Sequence, residues 1–134
     1  MNPGHLEVLK LGSEALANWR AENPADRLDL SGADLRELNL AGLNLSRAVL
    51  DGADLSGADL SGAQLSEATM RRANLSGAVL RGAVLFRVML NGADLSEADL
   101  SNASMYRAEL KDANIAGAVF KGATTLKVIW PERR

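Results

Sequence analysis

The chain has 134 residues, a formal net charge of -2, 24 % charged residues and no cysteine. That is room for one domain. The missing cysteine excludes disulfides, thiolate metal sites and cysteine nucleophiles, and the slightly acidic balance argues against general nucleic-acid binding through phosphate neutralisation.

Hydrophobic residues make up 47 %, yet the aromatics are only Trp19, Phe86, Tyr106, Phe120 and Trp130, so a core must be built from 23 Leu and 22 Ala. The first 27 residues are not repetitive. His5 to Lys10 reads as a short helical turn with Leu6 and Leu9 inward. Ser13 reads as the N-cap of a helix through Arg20, stopped by Pro24, with Leu16 and Trp19 on one face. Two roles fit such a segment: a cover for the start of the repetitive region, or a partner-binding helix. His5, the single histidine, reads as exposed and as neither ligand nor base. A basic stretch followed by an apolar one is not seen here, which predicts a cytoplasmic protein without a secretory signal. No apolar run reaches the ~18 residues of a membrane span.

From Leu28 to Gly122 the chain falls into 19 uninterrupted blocks of five, such as Ala53-Asp54-Leu55-Ser56-Gly57. The central residue of a block, position i, is Leu in 15 of the 19, and position i-2 is Ala in 15. Position i+2 is Gly in 10, which leaves only two glycines elsewhere in the chain. A period of five fits neither regular element. In an α-helix, i and i+5 lie about 140° apart, so no apolar stripe forms. In a continuous strand they face opposite sides. A short extended piece with i-2 and i inward, then a turn made by Gly, Ser, Asn and Asp, satisfies both the phase and the composition. The predicted core therefore includes Leu30, Leu35, Leu50, Leu55, Leu60, Leu75, Leu80 and Leu95. Beyond 122 the frame loosens through Ala123 to Lys127 and returns with Val128-Ile129-Trp130. The apolar group around Phe120, Leu126 and Trp130 predicts either an intramolecular lid on the open end, with Trp130 over it, or a contact between two copies.

The tandem A(D/N)LXX pattern resembles the pentapeptide-repeat family, over 95 of 134 residues. The resemblance implies an all-β solenoid: a right-handed quadrilateral β-helix with four blocks to each 20-residue coil, hence about five coils, with an N-terminal α-helical cap over 1–27 and a C-terminal cap or tail over 123–134. Residues recurring at twenty support four blocks per coil, among them Asp34, Asp54, Asn74, Asp94 and Asn114, and Arg47, Arg87, Arg107 and Lys127 with Glu67 interrupting. At ~4.8 Å per coil the shaft is roughly 23 Å long.

Four sides then map the outward positions. One carries Asp34, Asp54 and Asp94, the next Asp59 and Asp99. This acidic ladder has a structural reading, side chains bonding the neighbouring backbone, and a functional one, mimicry of duplex DNA. The resemblance supplies the second, since the quinolone-resistance branch of the family protects topoisomerases that way and dimerises through its C-terminal coil. Those proteins are generally longer, more acidic and interrupted by loops, whereas residues 28–122 here hold 12 acids against 9 bases. A third side breaks the polar rule with Val84, Phe86, Tyr106 and Leu126, near Met89, and with Trp130 completes a candidate partner or dimer strip. The alternative for that strip is cover by the C-terminal tail.

There is no phosphate loop and no metal-spaced cluster, and carboxylate pairs fall on a convex surface without a cleft. The sequence therefore predicts no enzyme, no cofactor and no small-molecule substrate. It predicts a protein-interaction or scaffolding module with an unidentified protein partner, a possible homodimer through the C-terminal end, and no contact with nucleic acid or membrane. The other functional reading is a DNA-mimic, gyrase-binding protein.

Overall fold

The computed structural model describes residues 1–132. Two helices come first: α1 over Pro3–Leu11 and α2 over Ser13–Glu22. Asn2 caps α1 by accepting the Gly4 N–H, with Pro3 at the first helical position, where its missing donor costs nothing. Ser13 is not the N-cap expected of it. Gly12, at φ 104°, ends α1 and begins α2, and no side chain caps α2. An L-residue rarely adopts that φ, so the glycine sets the corner between the helices.

From Asp29 onward isolated parallel bridges join residues 20 apart, as in Asp34 to Asp54 to Asn74 to Asp94 to Asn114. Four five-residue blocks thus make one coil, and each coil pairs only with those above and below it. The same turn-and-bridge pattern runs on past 122, through Ile129, which pairs with Glu109. Residues 123–130 are therefore in register with the shaft, including 123–127, where the sequence keeps the frame only loosely.

The backbone donors of one block account for its sequence. The Leu55 amide donates to Asn74 O in the next coil, Gly57 to Ser76 O, and Asp54 back to Ala33 O. Ala58 closes the turn onto Leu55 O. The fifth donor, the Ser56 amide, goes to the Asp54 side chain at 3.0 Å. Asp or Asn at i-1 therefore supplies the acceptor that the coil lacks. The i+2 residues all take positive φ, ten of them glycine and ten not. At Gly57 the site is also crowded, since a Cβ would run into the Glu37 carboxylate.

Inside, Ala and Leu alternate. Ala53, Leu55, Ala58 and Leu60 have no exposed surface, and the predicted core residues Leu30, Leu35, Leu50, Leu75, Leu80 and Leu95 are likewise buried. One cluster joins them to Leu9 and Leu16 of the helices. At the start of the shaft Leu replaces Ala at i-2, as Leu28, Leu38 and Leu43. Leu38 and Leu43 line a cleft with Leu9, and Leu43 a second with Leu16. The larger side chains reach the helices across a gap that another coil would otherwise fill.

The helices also meet the polar edge of the first coil. Within the shaft, Leu45 N–H donates to Gln64 O and Arg47 N–H to Ser66 O. One coil earlier the equivalent carbonyls, Asn44 O and Ser46 O, accept from the Arg20 guanidinium at 2.8 and 3.1 Å. Desolvation on half-burial lowers the Arg20 pKa, with the Arg47 charge adding to it. His5 is not the bystander the sequence suggested. Half-buried, it accepts the Asp29 amide on Nδ1 at 2.8 Å and packs edge-on to Trp19 at 4.8 Å. The Asn2 amide donates to Asp29 O.

Candidate surface sites on the shaft

The acidic ladder is built into the turns. Each of Asp54, Asp59, Asp94 and Asp99 accepts from the amide and the hydroxyl of the serine two residues on. Asp34 is bound instead by Arg36, whose Nε and Nη2 donate at 2.8 and 2.9 Å. These bonds favour the ionised form. The Ser101 hydroxyl, then Arg81, hold Asp99 down to about 2, and Arg36 does the same for Asp34. Serine hydroxyl bonds also lower Asp29, Asp59 and Asp94.

A folded-state pKa below the unfolded value contributes stability above the unfolded pKa, and that stability is lost as pH falls through the folded one. Thermal melts should therefore hold steady above about pH 5 and decline toward about pH 2. Asp99→Asn should flatten part of that decline without lowering the neutral-pH melt much, because an amide oxygen already does the same work for Ser76 at Asn74. A melt independent of pH across this range would contradict the assignment.

The strip on the third side comes together in part. Phe86 and Tyr106 stack at 5.2 Å with ring planes 17° apart, and Leu126, 63 % exposed, follows one coil further on. Val84 sits beside them, half-buried, in the bridge column 64, 84, 104. Met89 does not join them. It lies on the next side, in the column 69, 89, 109. Trp130 is at the C-terminal end, edge-on to Phe120 at 5.1 Å. Pro131 and Glu132 lie by Asp112 and Asn114, away from the stacked rings.

Among the described residues the end itself is open. Ile115, Ala118, Phe120, Ala123 and Val128 are only partly buried, and Trp130 and Ile129 remain 40 % and 50 % exposed. Trp130 therefore leans on Phe120 without closing the end. Beyond Leu110, which donates to Ile129 O, the amides of Ile115, Phe120 and Thr125 find no backbone acceptor among the described residues.

Between the strip and the Met89 side runs a corner that the sequence displayed as a twenty-residue recurrence without revealing its groove. Its i+2 residues are Arg47, Glu67, Arg87, Arg107 and Lys127, all at φ between 56° and 62°. The other three corners use glycine at most of these steps. Left-handed backbone costs an L-residue roughly 1–2 kcal/mol, so this corner is strained at every coil. Arg27, which the sequence placed in the cap, begins the column. Its guanidinium lies along the corner and donates to Arg47 O and Glu67 O. The groove beside it holds about 650 Å³ and is floored by Thr69, Met89 and Glu109.

Among the described residues, no group of His, Asp or Glu is placed to hold a metal ion, and no helix is long and apolar enough to cross a membrane.

Eight copies of the family model described as pentapeptide repeats match the chain, over residues 29–65, 63–102 and 85–122. No curated protein matches it. Similar solved structures include a pentapeptide repeat protein of the Arabidopsis thaliana thylakoid lumen, 32 % identical over 70 % of this chain and 62 % of that one, with TM-score 0.42. Another is HetL of the cyanobacterium Nostoc, involved in heterocyst differentiation regulation, 33 % identical over 78 % of this chain and 62 % of its own, with TM-score 0.34. A third is QnrB1, a plasmid-mediated fluoroquinolone resistance protein, 23 % identical over 71 % and 59 %, with TM-score 0.43. The chain spans about three fifths of the length of each. With five-residue blocks stacked at a twenty-residue step and family matches running from 29 to 122, the chain belongs to the pentapeptide-repeat family.

Proposed function

We propose that this chain is a non-enzymatic protein-interaction module: a right-handed, four-sided β-helix of about five coils, capped at its start by α1 and α2 and open at its end, where a second copy docks. The observation that carries it is the contrast between the two ends. The start has its carbonyls and amide met by Arg20, Asn2 and His5. Among the described residues, the end leaves the Phe120 and Thr125 amides without a backbone acceptor and apolar side chains in water. An edge of that kind is a template for another chain, and a two-fold pairing of the last coils would cover both edges at once.

Light scattering and sedimentation test it. The wild type should be a dimer, and Trp130→Ala combined with Phe120→Ser should shift it to monomer while leaving the β signature in circular dichroism. A monomeric wild type at high concentration would overturn the dimer. The duplex-mimic reading draws less support from the surface, because the ladder carboxylates already serve as turn acceptors and Arg36 and Arg81 lie among them.

A further inference from the structure

We infer that the Arg47–Lys127 corner and its groove form a binding site for an extended, acidic segment of a partner protein. The inference rests on the reading of the shaft as a protein-binding module and names the chemistry of one partner.

Five cations, Arg27, Arg47, Arg87, Arg107 and Lys127, with Glu67 between the second and third, stand along a single corner of a protein whose net charge is -2. Ion pairs elsewhere on the surface use Arg36, Arg71 and Arg81. Among the described residues, Arg47, Arg87, Arg107 and Lys127 have no carboxylate in ion-pairing range. Arg87 and Arg107 are also oriented. Their guanidinium carbons lie 5.6 Å over Phe86 and 5.4 Å over Tyr106, and Arg107 Nε–H donates to the Tyr106 hydroxyl. A guanidinium held against a ring keeps N–H edges free, and its planar fork matches a carboxylate. Coils stack at ~4.8 Å, so Arg87 and Arg107 can share one carboxylate or bind two in succession. From Arg47 to Lys127 is about 19 Å, the reach of roughly six extended residues.

The occupant is a protein segment rather than a nucleic acid because the column is not of one sign. Glu67 interrupts it and Glu109 lies in the groove. A peptide can place a cation against Glu67 between two acidic stretches, and an apolar side chain against Phe86 and Leu126. A phosphate backbone meets both glutamates with like charge. The corner keeps L-residues at positive φ at every step, where the other three corners use glycine at most steps, and strained backbone of this kind persists when the side chain has a task.

The test uses the full chain and a fluorescein-labelled peptide with two short oligoglutamate stretches flanking one lysine and one phenylalanine. Anisotropy should show salt-sensitive binding that weakens at least about tenfold in Arg87→Gly/Arg107→Gly. That variant relieves two strained positions, so its melting temperature should not fall, which separates lost binding from lost fold. Arg72→Gly makes the same change at φ 56° on another corner and should leave binding intact. Four results would overturn the proposal: no peptide binding at low salt, equal loss in Arg72→Gly, tighter binding of a labelled single-stranded oligonucleotide than of the peptide, or conversion of a dimer to monomer by the Arg87/Arg107 variant. The last would mean that a second copy fills the groove. Sedimentation of Trp130→Ala/Phe120→Ser reports on the open end independently, so loss of either site leaves the other standing.

Discussion

Leu75→Lys should abolish cooperative unfolding altogether. Leu75 has no exposed surface and stands in a column of leucines one coil apart, with Leu55 below and Leu95 above. An ammonium there meets alanine and leucine on every side, with no buried polar or charged residue to pair with among the described residues. Desolvating an unpaired ion costs several kcal/mol, and losing the leucine adds about 2–5 kcal/mol, the cost of a comparable truncation. Together these rival the ~5–15 kcal/mol that holds a domain together. Leu75→Ala should fold with a lower melt, by the truncation alone. Ser76→Lys, one residue on, loses only the hydroxyl bond to Asn74 Oδ1 and should cost about 1 kcal/mol. Circular dichroism and chemical denaturation check all three. If Leu75→Lys and Ser76→Lys behave alike, the inward phase of the repeat is wrong.

The next largest effect is expected at the opposite kind of contact, the polar seam beneath the first coil. Arg20→Ala with His5→Ala removes the partners of Asn44 O, Ser46 O and the Asp29 amide at one stroke. Each charge-assisted bond contributes about 1.5–3 kcal/mol and a neutral one about 1 kcal/mol, about 4–7 kcal/mol in all, and because water reaches some of the freed groups a loss of about 3–5 kcal/mol is expected. In a stack whose coils touch only their neighbours, that loss should fray the first coil before it unfolds the last. Hydrogen exchange should therefore quicken at the Leu30 and Leu35 amides well before those of Leu95 and Leu100. Uniform quickening along the shaft would refute a local seam. Arg20→Lys should recover little, since one ammonium does not span two carbonyls as a fork does.

What was legible in the sequence was whatever one block decides by itself. The five-residue phase excludes helix and strand, and it assigns the Ala and Leu at i-2 and i to the interior. The serine and aspartate of the turns were legible as turn chemistry, and the structure adds why: an Asx acceptor meets the one amide that the coil leaves out. Less was legible wherever a residue works across coils or at an end. His5 carries no neighbouring motif, and its partner, the Asp29 amide, is 24 residues away. Ser13 looked like a cap because capping residues are recognised by type, but the cap depends on the φ of Gly12. Met89 shares an apolar stretch of sequence with Phe86, but the four-sided map already puts it on the next side, with Thr69 and Glu109, and the structure keeps it there.

The amino-acid sequence alone determined the repeat, the composition of the core and the family, because each rests on short-range periodicity that no tertiary contact can alter. Only the tertiary structure decided which side chains mapped to one side touch, and how the ends are met. Stacking at twenty residues set Phe86 on Tyr106, ranged the cations from Arg27 to Lys127 along one groove, and left the last coil open while Arg20 and His5 met the first. Those juxtapositions depend on the turn angle between blocks and on what lies beyond each end, and neither is written in any single block.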